Sequence, residues 1–296
     1  MKLISDDQVV YALSAANAPV LTVAPGEEVV FRTKDCFSNQ IKSERDLFSS
    51  VGWATINPAT GPLAVTGAEP GDTLVVDIID IKVADQGCMV CVPEMGALGH
   101  LIRESETMII PIRDGKAVFS DRLWLPLRPM IGVIGTAPAD GVIATGEPGR
   151  HGGNMDTRQV CAGSRLYLPV FASGGLLAMG DLHAVMGDGE VSLCGLEIPG
   201  EVTVRVGLVK SRQCGWPVLE TGADWYVIAS GDGLDEAARL ALDATVEFLG
   251  GRLDMTTNEI ISLLSLAGNL EISQIVDPLK TVRMRLPKSV FGGLTF

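Results

Sequence analysis

Residues 69–83 read EPGDTLVVDIIDIKV, and this segment constrains the fold more than any other. Pro70-Gly71-Asp72 is a turn. The run after it alternates, placing Leu74, Val76, Ile78 and Asp80 on one face. GEVTVRVGLVK (200–210) does the same, with Val202, Val204, Val206 and Leu208 facing one way and Thr203 and Arg205 the other. VVYAL, VLTVAPGEEVVFRT and KAVFS are further short strand-like runs bounded by Gly, Pro and Asp. Strands of this length between closely spaced turns specify a mainly β chain with a sandwich or barrel core.

The pattern changes near residue 233. GLDEAARLALDATVEFLGG has apolar residues at helical spacing, Asp235 near its start and Gly250-Gly251 as its stop. MTTNEIISLLSLAGNL reads as a second helix, capped by Thr256 or Thr257 with Glu259 following, and closed by Gly268-Asn269. Strand-like ISQIVD follows. The expectation is one unit over 1–296, β-rich over 1–232, with residues 233–296 packed on the sheets as a dependent part. The apolar residues Ile260, Ile261, Leu263, Leu264 and Leu266 exceed what one sheet face requires, so this helix is the expected contact of a homodimer.

Composition narrows the partners. The net charge of −13 argues against a nucleic-acid backbone as partner, which needs clustered Lys and Arg. No apolar run reaches the roughly 18 residues of a membrane span. The N-terminal stretch lacks the apolar core of a signal peptide. Of six cysteines, only Cys88 and Cys91 form a CxxC, and no second pair makes a zinc ribbon of it. The expected location is the cytoplasm, with reduced thiols.

The chemistry concentrates in residues 147–190. Two of the chain's three histidines, His151 and His183, lie there with Asp156, Asp181, Asp188 and Glu190. Imidazole and carboxylate suit zinc and other divalent metals. In an extended segment Asp181 and His183 point to one face. Asp188 in the Gly187-Asp188-Gly189 turn reads as a turn residue rather than a calcium ligand. The turn can bring Glu190 back toward His183. His183 alone is also compatible with a hydrogen-bonded core histidine, Asp156 with a strand cap, and Asp35 with either a ligand or a loop residue. Asn57, before Pro58, is a turn residue or a hydrogen-bond donor to a ligand. Trp216 is a pocket wall or ordinary packing. Cys161 enters a strand among apolar residues, where a thiol is inert. His100 has no assigned role.

Several ordered blocks resemble the acetamidase/formamidase family. They are DCFSNQI (35–41), INPATGPLAVTGAEPGDTLVVDI, HGGNMDTRQVCAGSRLYLPV, MGDLHAVMGDGEV and LLSLAGNLEISQIVDPLKTVRM, spread over about residues 25–285. The resemblance implies a β-rich, oligomeric, metal-binding hydrolase that converts a short aliphatic amide to carboxylate and ammonia. With it, Asp156, Asp181, His183 and Asp35 become the expected metal ligands, with zinc first and calcium second. Glu190 becomes the general acid/base, His151 a ligand or an orienter of the carbonyl, and Asn57 and Trp216 substrate contacts. The alternatives are a metal-binding β-sandwich without amidase activity, and a hydrolase of larger or cyclic amides.

Overall fold

The computed structural model describes residues 2–296. Two large sheets carry the fold. The first has nine strands in the order Lys2–Ile4, Glu28–Thr33, Gly200–Val209, Thr73–Val83, Arg165–Pro169, Val218–Glu220, Asp224–Gly231, Lys280–Pro287 and Asn269–Gln274. The second has six: Gly152–Asn154, Met130–Gly135, Leu177–His183, Ala59–Val65 and Val9–Val10 in order, with Leu21–Val23 pairing on Ala59–Val65. A four-stranded sheet over residues 86–126 stands beside them.

The two alternating segments identified from sequence are neighbours in the nine-stranded sheet. They pair antiparallel along their length. Val202, Val204 and Val206 are fully buried, as are Leu74 and Val76. They face Leu63, Ile131, Ile134, Met179 and Leu182 of the six-stranded sheet across one continuous apolar core. Alternation fails at one place. Thr203 pairs with Asp80 but Val204 pairs with Ile78, so Ile79 is a bulge residue, 42% exposed. The extra residue reverses the side-chain phase. Ile81, not Asp80, takes the next buried position.

Helix α1 (Leu234–Gly250) and helix α2 (Thr257–Ala267) pack against the C-terminal end of the nine-stranded sheet. Gly233, not Asp235, is the N-cap of α1; Asp235 and Glu236 lie in the first turn, favourable toward the helix dipole. The buried stripe of α1 is Ala237, Ala241, Ala244, Thr245, Phe248 and Leu249, which leaves Leu242 outside. Thr256 caps α2 in a capping box with Glu259. Ile260 and Leu264 are buried within the chain, while Ile261 and Leu266 face solvent. The strands Asn269–Gln274 and Lys280–Pro287 complete the same sheet through pairing with Asp224–Gly231. Among the described residues no helix is long and apolar enough to cross a membrane.

Candidate active site

The strand Leu177–His183 is buried from end to end and delivers Asp181 and His183 to one place. Four carboxylates surround His183 Nε2: Glu197 Oε1 at 2.9 Å, Asp181 Oδ1 at 3.5 Å, Glu190 Oε1 at 3.8 Å and Asp156 Oδ1 at 3.9 Å. All five side chains are at least 96% buried.

Backbone choices make this crowding possible. Asp156 follows the strand Gly152–Asn154, which pairs with Met130–Gly135, itself paired with Leu177–His183. A β-carbon at Gly132 would stand 2.5 Å from Asp156 Oδ1 and 2.6 Å from Asp181 Oδ2, so glycine leaves the space both carboxylates occupy. Asp156, Asp181 and Glu190 all have positive φ (40°, 55° and 49°), a region that side-chain-bearing residues rarely adopt. Strain of this kind, about 1–3 kcal/mol per residue, persists where surrounding structure enforces it.

Arg283 does part of the enforcing. It is fully buried and pairs with Asp188 at 2.8 Å and Glu271 at 2.9 Å. Asp188 also pairs with Arg158 at 3.0 Å. Gly189 bonds through its N–H to Ser273 O, and its own carbonyl accepts from Ile275. The turn before Glu190 is thereby fixed to the nine-stranded sheet. Asp188 is a turn residue with two arginine partners.

Three residues outside the sequence window join the cluster. Glu197 sits on a bridge between His183 and Cys88, exchanging two backbone hydrogen bonds with Cys88. Asp277, from the loop between the last two strands, accepts a hydrogen bond from Asn154 Nδ2 at 3.0 Å. Cys36 completes a second set with Asp181 and Glu197, beside the set of Asp156, His183 and Glu190. In each set one ligand-type atom per residue lies within 4.8 Å of the others. Asp277 lies in the Ile-Val-Asp-Pro stretch that carries the family resemblance, and Cys36 adjoins Asp35. Glu197 had only its nearness to the GDGE turn to mark it.

The electrostatics are unbalanced. Burial, then the charge of Asp156, holds the Glu190 carboxyl well above its usual range. Burial and the charges of Asp277 and Asp181 do the same to Asp156. Burial and Glu190 raise Asp277. Glu197 is pushed up to about 7 by burial, against the opposing effect of His183. Burial alone would lower His183, but Glu197 and Asp181 outweigh it and hold the imidazole well above its ordinary value. Asp156 Oδ1, Glu190 Oε2 and Glu197 Oε2 have no hydrogen-bond partner. Buried acceptors without donors are costly, and a cation of high charge satisfies several at once. The donor set therefore fits a divalent ion.

The remaining expected residues fall in different places. Asn57 lines the cavity above the cluster, with φ 53° and its N–H bonded to Cys36 O. His151 is buried, held down to about 4 by burial, with Nε2 unpartnered. Its ring lies against Gly149 and Gly153, and it is not among the cavity-lining residues. Asp35 is buried and raised to about 6, chiefly by burial. It accepts from Asn39 N–H at 2.7 Å and lines a separate cleft of about 160 Å³. That places it beside the ligand sets rather than in them. Trp216 is also displaced from its expected place. It packs beside Trp225, Phe248 and the alanines of α1 and lines a small cleft with Cys214 and Arg252 instead. His100 is exposed in a single helical turn at Gly99–Leu101. Cys161 is half-buried, its thiol raised by burial, which disfavours the thiolate.

Comparison with known proteins agrees with this architecture. The family model described as "Acetamidase/Formamidase family" matches residues 15–146 and 139–293. The crystal structure of an acetamidase from Bacillus halodurans superposes with a TM-score of 0.97 at 45% identity, covering 99% of this chain and 100% of that one. A predicted acetamidase/formamidase from Thermoanaerobacter tengcongensis gives a TM-score of 0.97 at 43% identity, covering 100% of this chain and 99% of the other. A formamidase of Methylophilus methylotrophus is 27% identical, over 74% of this chain and 71% of its own length.

Proposed function

Because the chain belongs to the acetamidase/formamidase family, amidohydrolases acting on linear amides, we propose that it hydrolyses a primary amide to carboxylate and ammonia at the His183 cluster, with a divalent metal held there. The observation that carries the reading is the set of buried carboxylates around His183 whose oxygens lack donors. Asp156, Asp181 and His183 are the proposed ligands, and Glu197 and Cys36 extend the donor set. Nitrogen and thiol donors favour zinc; the excess of carboxylate oxygen keeps calcium second. A divalent ion, when bound, lowers the pKa of water to about 7 and polarises an amide carbonyl.

The chain's own groups do the rest. Glu190 takes the role of general acid/base. Burial and the neighbouring carboxylates favour its protonated form, which suits a group that gives a proton to the departing nitrogen. Asn57, on the cavity wall, takes the role of donor to the carboxamide. The cluster's burial excludes bulk water from the reacting carbonyl, which strengthens each electrostatic contact. The oxygen of water joins the carbonyl carbon, the C–N bond breaks, and nitrogen leaves as ammonia.

The test is ammonia release from formamide, acetamide and propionamide before and after chelation. Loss on chelation and recovery with Zn²⁺ is the expected result. Bound metal with no ammonia from any amide would instead identify a metal-binding protein without this activity.

A further inference from the structure

The cavity above the cluster is larger than a short amide needs. Its volume is about 720 Å³. An amide of three or four heavy atoms takes the space of about as many waters, on the order of 100 Å³ at ~30 Å³ each. Cavities of roughly 300–1,000 Å³ enclose ligands of drug-like size.

The surplus space is lined unevenly. Asp181, Glu190, Glu197 and Asp277, together with His183, give the cavity its ionisable part. Phe37, Phe48, Trp53, Ile56, Met95 and Leu193 give it an apolar wall. Three of these are stacked edge to face: Phe37 on Phe48 at 6.0 Å and 76°, and Phe48 on Trp53 at 5.2 Å and 86°. The first two rings anchor a small core of their own with Ile41, Val51, Cys88 and Val90. Trp53 ends the stack and is 68% exposed. A large aromatic at a cavity wall, fixed by its neighbours yet uncovered, lacks an apolar partner on its free surface. An aromatic group packed edge-to-face or offset on such a ring gains attraction beyond burial alone.

We propose that the site accepts primary amides whose acyl part carries an aryl or arylalkyl group, which packs against Phe48 and Trp53 while the carboxamide reaches His183. This rests on the amidase reading of the same site. The reaction is unchanged: water supplies oxygen to the carbonyl carbon, the C–N bond breaks, and the arylalkyl carboxylate and ammonia leave. Trp53 is a specificity determinant and takes no part in the bond changes.

The experiment compares kcat/KM for acetamide, butyramide and phenylacetamide by ammonia release from the metal-replete protein. Phenylacetamide is expected to exceed acetamide by about tenfold or more, the scale on which an apolar pocket discriminates. Trp53→Ala should remove about tenfold of the phenylacetamide value while acetamide stays within about twofold, and Trp53→Phe should restore most of it. The exposure of Trp53 spares the core in both variants. Acetamide turned over with phenylacetamide equal or slower overturns this inference and leaves the amidase reading standing. Equal losses on both substrates in Trp53→Ala also overturn it. No ammonia from any amide defeats both.

Discussion

The two ends of the molecule obey local rules to different degrees. In the C-terminal layer the helices and their stops follow the local signals, with Gly233 in place of Asp235 as the cap of α1 and Leu242 left outside. Thr256 and Glu259 form the capping box, Gly250-Gly251 and Gly268 stop the helices, and Ile260 and Leu264 turn inward. Around His183 the same rules are broken. Asp156, Asp181 and Glu190 adopt a backbone conformation suited to glycine, and acidic side chains are buried against one another. The contrast teaches where stability is spent. One region is held by regular packing. The other holds positive-φ carboxylate residues and buried oxygens without donors, the local exceptions expected at a functional site.

The largest effect should come from the site. Glu190→Gln keeps size and shape but removes the titrating group. It should cut turnover by about 10²–10⁴-fold while metal stays bound. Unchanged turnover would remove Glu190 from its role.

The second effect tests how the two regions are joined. Arg283 reaches from the C-terminal strand to Asp188 in the turn before Glu190. Arg283→Met removes the buried donor of Ile272 O and Ser273 Oγ, while Asp188 keeps Arg158 and Glu271 keeps Arg285, so it should cost about 2 kcal/mol of stability by urea unfolding. Turnover should fall with it, because the turn that carries Glu190 loses its anchor. A variant equally unstable but fully active would show the turn holding itself.

The smallest effect lies wholly within the regular region. Thr256→Ala removes the α2 cap and should cost about 1 kcal/mol, with amide turnover unchanged. A large loss of turnover here would erase the distinction between the two regions.

The same contrast explains what the sequence made legible. Strand alternation at 200–209 and the α2 box are local signals, so they read directly. Ile79 shows their limit, because a single bulge residue reversed the phase after Ile78. Asp181 and His183 stood out as a same-face pair on one strand, and Glu190 by its turn. Glu197 and Asp277 did not, because their approach to His183 depends on a bridge to Cys88 and on a loop between distant strands. Trp216 stayed open between pocket wall and ordinary packing, because an aromatic beside Pro217 reads alike in a cavity or a core. It is half-buried against the cluster that holds Trp225 and Phe248 and lines a small cleft away from His183. The apolar wall itself was invisible in the sequence, because Phe37, Phe48 and Trp53 meet only through folding of the 35–57 segment.

If the buried carboxylates around His183 hold a divalent ion on which amide hydrolysis depends, metal content and turnover rise and fall together. Elemental analysis of the purified protein, paired with acetamide turnover on the same sample, tests it most directly. The account predicts at least one divalent ion per chain, with ion and activity lost together in Gly132→Ala, where the added methyl displaces the Asp156 and Asp181 carboxylates. A metal-free chain that hydrolyses acetamide at full rate would contradict it.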